Sequence, residues 1–93
     1  MKFVESAADL LSPTEMLSMT GLEFIAGIAE GRFPAPPICR ALNYHMTRAE
    51  EGRVVFRGTP SFAALNPLGT IHGGWFGTLL DSCMACAVQT KLP

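Results

Sequence analysis

The stretch that decides the fold of this chain is HGGWFGTLLDSCMACAVQT, residues 72–90. Apart from its opening glycines it is compatible with helix throughout, so we predict one long helix from about Gly73 to Thr90. Asp81 is the single formal charge between Gly58 and Thr90. Since an isolated carboxylate is costly to bury in an apolar helix, we expect that Asp81 is buried for a chemical purpose.

The paired glycines leave bare N–H groups at a helix N-terminus, where negative charge is stabilised. An acid/base group and an oxyanion donor in one segment suggest hydrolysis at a carbonyl.

At about 100° per residue, this predicted helix has two dissimilar faces. The bulky face carries Trp75, Phe76, Leu79, Cys83 and Cys86. The opposite face carries Gly74, Gly77, Asp81 and Ala85. We expect the bulky face to pack on a sheet. We expect the small face to admit a ligand or another backbone closely.

Two helix-start signatures lie near the N-terminus, at residues 12–15 (Ser-Pro-Thr-Glu) and residues 20–23 (Thr-Gly-Leu-Glu). In each, a capping hydroxyl residue is followed three positions later by Glu, which is typical of a capping box. Gly31 is expected to end the second helix. Residues 34–37 (Pro-Ala-Pro-Pro) then predict an extended linker that excludes helix.

The pattern changes to strand period after this linker. Leu42, Tyr44 and Met46 alternate with polar residues, residues 50–52 (Glu-Glu-Gly) predict a turn, and a second alternating run covers residues 53–58. The second strand can continue through residues 59–64. The sequence therefore predicts an α+β chain of N-terminal helix, β-hairpin and long central helix.

The length of the chain limits the number of domains and the size of the sheet that it can form. Its 93 residues make a single domain, residues 1–93, of which residues 1–11 are expected to be a flexible tail. Two strands cannot cover a helix that is apolar on nearly all sides, and an isolated hairpin is marginal. We therefore expect the domain to be incomplete, with further strands supplied by a C-terminal part or by another copy.

Composition and charge exclude several classes of function. The net charge is −1 and basic residues are scattered, so we expect no nucleic-acid partner. Residues 1–6 contain an early Glu and no apolar core of signal-peptide length, so we expect no export signal. The glycines and Asp81 of the long helix argue against a membrane span. Three cysteines without a signal peptide fit a reducing compartment, so we expect a cytoplasmic protein.

Cys83-Met84-Ala85-Cys86 forms a CxxC motif, which suggests redox or metal chemistry in other contexts. Reactive CxxC pairs lie at helix N-termini, whereas this pair lies near the end of the predicted helix. With Cys39 and His72 the chain has four potential zinc ligands, but their spacing matches no common site. We therefore expect no metal and no cofactor.

With Asn66, then His72-Gly73-Gly74, and then Asp81 at this spacing, the chain resembles the hotdog-fold acyl-CoA thioesterases, nearest to the phenylacetate-degradation type. The resemblance covers most of residues 12–93. It implies a hotdog fold that here lacks three or so C-terminal strands, so the chain matches the N-terminal two-thirds of such a domain. It also implies an acyl-CoA substrate and a homo-oligomer, either dimer or tetramer.

The resemblance also implies roles for individual residues. Asp81 matches the catalytic carboxylate, acting as general base on water or as nucleophile. Gly73 matches the backbone N–H that polarises the thioester carbonyl, and His72 and Asn66 match the polar residues around it. We expect Gly74 and Thr78 to contact the substrate.

Helix geometry adds a constraint on this site. His72 and Asp81 are nine residues apart, or about 13 Å along one helix, so both cannot touch one carbonyl. Two antiparallel copies of the helix, meeting on the small face, would bring Asp81 of one near Gly73 of the other.

Other interpretations stay open. Asp81 could be a structural carboxylate satisfied by the hydroxyl of Thr78 or Ser82. The chain could also be a non-catalytic, truncated hotdog module that binds acyl-CoA. A hotdog acyl-thioester dehydratase is a third hypothesis, disfavoured by the spacing of the glycine pair and Asp81.

Overall fold

The structure, a computed structural model, describes residues 2–93; Met1 lies outside the described residues. Over this range the chain is an α+β domain in which helices pack on a two-stranded antiparallel sheet. Its elements are α1 (Pro13–Leu17), α2 (Gly21–Ala29), α3 (Pro37–Leu42), β1 (Tyr44–Glu50), β2 (Arg53–Gly58) and α4 (Gly73–Gln89). Short 3₁₀ turns at Ala7–Asp9 and Phe62–Ala64 complete the order.

Both predicted capping boxes are present. The Ser12 hydroxyl accepts from the Glu15 N–H at 3.1 Å, and the Glu15 carboxylate accepts from the Ser12 N–H at 3.2 Å. Thr20 and Glu23 form the same reciprocal pair at the start of α2. These bonds satisfy N–H groups that the first helical turn cannot use, which is why the helices begin at the predicted residues.

The predicted hairpin is also confirmed. β1 and β2 pair from Tyr44 opposite Gly58 to Glu50 opposite Arg53, with an irregularity between Met46 and Arg48. The turn uses Gly52 at φ +77°, a conformation that suits glycine.

Two boundary predictions around the hairpin were wrong. The linker prediction fails at Pro37, which begins the helix α3 and leaves Leu42 helical rather than in the first strand. Proline at the first helical position lacks an N–H that the helix would not use, so it starts a helix as readily as it interrupts one. The second strand ends at Gly58 and does not continue through residues 59–64, where Pro60 has no N–H to donate.

Residues 2–4, within the stretch expected to be a flexible tail, are hydrogen-bonded to the segment that leads into α3. The Val4 N–H donates to the Ala35 carbonyl and the Ala35 N–H donates to the Lys2 carbonyl, both at 2.8 Å. Val4 is buried. The beginning of the described chain is thus held against the segment that leads into α3.

The core lies between α2, α3, the hairpin and α4. Ala35, Cys39 and Tyr44 form a buried cluster within it, and Leu79 of α4 packs against them. At the start of α4, Trp75 is 6% exposed and its indole N–H donates to the Leu42 carbonyl at 2.7 Å. These contacts fix how α4 sits on the sheet.

The central helix has the predicted bounds, but its buried face is only partly as expected. Trp75 is buried, and Leu79, Cys83 and Cys86 are half-buried. Phe76, expected on the same face, is 47% exposed, because it lies about 100° around the helix from Trp75. An outward stripe of apolar side chains results, spaced four residues apart: Phe76, Leu80, Met84 and Val88.

None of the helices within residues 2–93 combines the length and the hydrophobicity that crossing a membrane requires.

Candidate functional site

The loop before α4 is organised by the side chain of Asn66. Its amide oxygen accepts from the N–H groups of Leu68 and Thr70 at 3.0 and 3.1 Å, and its amide nitrogen donates to the Thr70 hydroxyl at 2.8 Å. At the end of the loop, the His72 N–H donates to the Ala64 carbonyl at 2.8 Å. Asn66 therefore shapes the loop that delivers His72 to the start of α4.

His72 caps α4 with its imidazole. Its Nδ1 accepts from the Gly74 N–H at 2.8 Å, so in the neutral ring the proton belongs on Nε2. A Cβ on Gly74 would lie 2.9 Å from that Nδ1, which explains why a glycine stands there. His72 and Gly74 thus form a local capping pair at the N-terminus of the helix.

The N–H of Gly73 is the free donor of this helix terminus. Within residues 2–93 no carbonyl or side chain accepts from it. The neighbouring N–H groups of Gly74 and Trp75 are, by contrast, bonded to His72. A Cβ at Gly73 would meet nothing within 4 Å. The structure therefore presents an unbonded N–H on an exposed residue, at the end of the helix that favours negative charge.

The hydroxyls near Asp81 are occupied elsewhere. Thr78 donates to the Gly74 carbonyl at 2.8 Å, one turn back along the helix. Ser82 is hydrogen-bonded to the Tyr44 hydroxyl at 2.8 Å. In the part of the chain that is described, no hydrogen bond or ion pair reaches the Asp81 carboxylate, so neither Thr78 nor Ser82 accounts for its presence.

The expectation that Asp81 is buried was wrong for this chain. The residue is exposed, because it lies about 240° around α4 from Trp75, at the edge between the packed and open faces. Asp81 and Ser82 instead lie beside an apolar cavity of about 240 Å³, whose other walls come from α2, the Ala35–Cys39 segment and the hairpin. The carboxylate is therefore accessible and adjacent to space that suits an apolar group.

The pair of Tyr44 and Ser82 was missed by sequence reasoning. Tyr44 is 2% exposed, and burial raises the pKa of its hydroxyl. The hydrogen bond to Ser82 lowers that pKa by a smaller amount, and Cys39 and Asp81 raise it slightly further. Tyr44 therefore stays protonated near neutral pH and holds the Ser82 hydroxyl next to the cavity. Alternation marked Tyr44 as an inward strand residue, but nothing local in the sequence indicates that it meets α4.

The predicted site residues fall into two separate groups. Asn66, His72, Gly73 and Gly74 lie together around the first turn of α4. Asp81 lies eight residues beyond Gly73, about 12 Å along the axis. One chain does not bring its free N–H and its carboxylate to the same atom.

The three thiols form no disulfide: Cys39 is buried, and Cys83 and Cys86 are half-buried. Burial raises the pKa of the Cys39 thiol to about 11, and burial also raises the pKa of Cys86. The Cys39 and Cys86 thiols are therefore poor nucleophiles near neutral pH. No group of three or more His, Cys, Asp or Glu side chains within residues 2–93 is placed to hold a metal ion.

No protein-family model, no curated protein and no solved structure matches this chain.

Proposed function

We propose that this protein hydrolyses acyl-CoA thioesters within a hotdog-type assembly. The observation that carries the proposal is the position of Asp81, an accessible carboxylate at an apolar cavity, on the same helix as the free Gly73 N–H. A thioester is an activated acyl group, so one base and one oxyanion donor suffice without a nucleophilic triad. The spacing of Asn66, His72, Gly73 and Asp81, which resembles that of the hotdog thioesterases, supports the same chemistry.

In the proposed reaction the Asp81 carboxylate takes a proton from water, and the oxygen of that water attacks the thioester carbonyl carbon. Negative charge develops on the carbonyl oxygen, where a Gly73 N–H stabilises it. The tetrahedral intermediate collapses by breaking the carbon–sulfur bond. The protonated Asp81 carboxyl gives its proton to the departing thiolate, which leaves as CoA together with the carboxylic acid, and the Asp81 carboxylate is regenerated. His72 and Asn66 act by positioning, because the cap and the loop hold the first turn of α4 in place.

We propose that the base and the donor come from different copies of the chain. Gly77 lies midway between Gly73 and Asp81 in sequence, and a Cβ at Gly77 would meet nothing within 4 Å. If two α4 helices cross antiparallel at Gly77, residues four before and four after it face each other across the two-fold axis. Asp81 of one copy then faces Gly73 of the other, and the absence of a side chain at Gly77 lets the helices approach closely.

The outward stripe of α4 supports the same contact. Leu80, Met84 and Val88 are 58–63% exposed and lie on the side of the helix that also carries Gly77. A contiguous apolar surface of this kind is typical of an interface. A homodimer through this face would complete the site and cover the stripe in one step.

The test is hydrolysis of an acyl-CoA series by the full chain, with free CoA measured by liquid chromatography. We expect turnover by the wild-type protein and a fall in kcat of about 10²–10⁴-fold in Asp81→Asn, the range that loss of a general base produces. Glu51→Gln is the matched control, because Glu51 is an exposed carboxylate whose surface ion pair with Lys91 contributes little.

The outcomes separate the alternatives. An unchanged kcat in Asp81→Asn would show that Asp81 is not the general base and would contradict the proposal. Binding of acyl-CoA with no turnover by any variant would instead favour a non-catalytic binding module.

A further inference from the structure

The cavity beside Asp81 has an open end and a closed end. Asp81 and Ala85, at its α4 side, are exposed. Ala35, Cys39 and Met46, on its other walls, are 3–5% exposed. The cavity of about 240 Å³ therefore runs from a surface carboxylate to a buried apolar end.

Its lining is uncharged apart from Asp81. The Cys39 and Cys86 thiols stay protonated near neutral pH because burial raises the pKa of both. The remaining polar lining group is the Ser82 hydroxyl, which lies next to Asp81 in the helix and is bonded to Tyr44. An occupant must therefore be apolar along its length and polar only where it meets Asp81 and Ser82.

We propose that this cavity receives the acyl chain of the thioester, with the carbonyl at Asp81 and the far end of the chain against Cys39 and Met46. This inference rests on the proposed function. It adds that the acyl site lies within one chain, and that Cys39 and Met46 set the acyl length.

The volume gives the size of the acyl group. An apolar cavity of about 150 Å³ is large enough to bind benzene, and a water-sized group takes about 30 Å³. If each methylene takes about the same 30 Å³, a cavity of about 240 Å³ holds about eight methylene groups. The expected acyl group has about eight carbons, as a straight chain or as one ring with a short linker.

Chain length should then control affinity. Each methylene that enters the cavity should tighten binding about fourfold, the equivalent of about 0.8 kcal/mol, until the cavity is full. Beyond about eight carbons the gain should stop. Cys39→Ala should move this limit to a longer chain, and Cys39→Leu should move it to a shorter one.

The experiment titrates the full-length chain with S-(2-oxoalkyl)-CoA analogues of 4 to 12 carbons, which cannot be hydrolysed, and with CoA alone as the baseline. Binding is followed by the NMR signals of ¹³C-methyl methionine. We expect the Met46 methyl to shift with the longer analogues, while the methyl of Met16, which does not line this cavity, stays unchanged. Cys83→Leu is the matched control for Cys39→Leu, since Cys83 is a half-buried thiol outside the cavity lining.

Affinity that does not depend on length, with an unmoved Met46 signal, would overturn the inference. Equal behaviour of Cys39→Leu and Cys83→Leu would overturn it too, and the wild-type Met46 titration decides the matter if Cys39→Leu does not fold. Length-dependent binding at Met46 without hydrolysis would support the acyl-binding cavity and contradict the proposed thioesterase activity. Hydrolysis with no preference for acyl length would support the thioesterase activity and contradict the proposed role of the cavity.

Discussion

The inward and outward faces of α4 differ in how many of their side chains are buried or hydrogen-bonded within the chain. On the inward face, Trp75 is buried and hydrogen-bonded to Leu42, and Thr90 just beyond the helix bonds both Ala87 and Gly52. On the outward face, Leu80 and Met84 are exposed, as is Asp81 at its edge. The inward face has the properties of a structural surface. The outward face retains groups that this chain alone does not use, which is where association and chemistry are expected.

The largest effect predicted from this comparison is on stability. Trp75→Ala should lower the free energy of unfolding by about 3–5 kcal/mol, since it removes a buried indole. Phe76→Ala, at the next residue but largely exposed, should cost about 1 kcal/mol or less. Urea unfolding of the two variants measures the difference. Equal losses would mean that the two residues do not lie on different faces.

A substitution at Gly73 should act on turnover and leave the fold intact. Gly73→Pro removes the free N–H, and His72 at φ −62° and ψ 133° already has a backbone conformation that precedes proline well. We expect kcat to fall about 10²–10³-fold, as when one oxyanion donor is lost. Gly73→Ala is the matched control, because it keeps the N–H and its Cβ would meet open space. If both variants lose activity equally, the N–H is not the donor.

The inward face also predicts a loss of stability at alkaline pH. Burial raises the pKa of Cys39 from 9.0 to about 11, so the unfolded chain releases this proton at lower pH than the folded one. The stabilisation is therefore complete below pH 9 and is lost as the pH rises to about 11. About two pKa units correspond to about 3 kcal/mol at most.

Urea unfolding at pH 8 and pH 11 tests this prediction. In Cys39→Ala the alkaline loss should be smaller, although Tyr44 and Cys86, whose pKa values are also raised, contribute in the same direction. An identical pH dependence in the variant would show that Cys39 ionises as freely when folded as when unfolded.

Local patterns in the sequence predicted much of this fold. The capping residues Ser12 and Thr20, the hairpin turn at Gly52 and the bounds of α4 follow from rules that involve only neighbouring residues. The start of α3 at Pro37 was not predicted, because a proline run is compatible with both an extended segment and a helix start.

The candidate site was predicted less completely, since it depends on tertiary contacts. The helical wheel placed Asp81 opposite the bulky face, but the exposure of Asp81 depends on how Trp75 orients the helix against the sheet. The bond between Tyr44 and Ser82 joins residues 38 positions apart, and no local rule pairs them.

The central claim is that two outward faces meet and share one site, and complementation tests it most directly. Asp81→Ala and Gly73→Pro proteins, each nearly inactive, are mixed under conditions where subunits exchange. In random dimers half of the molecules are mixed, and one of the two sites in each has both groups intact. Recovery of up to about a quarter of wild-type activity is therefore predicted. Demonstrated exchange of subunits with no recovery of activity would contradict the shared site.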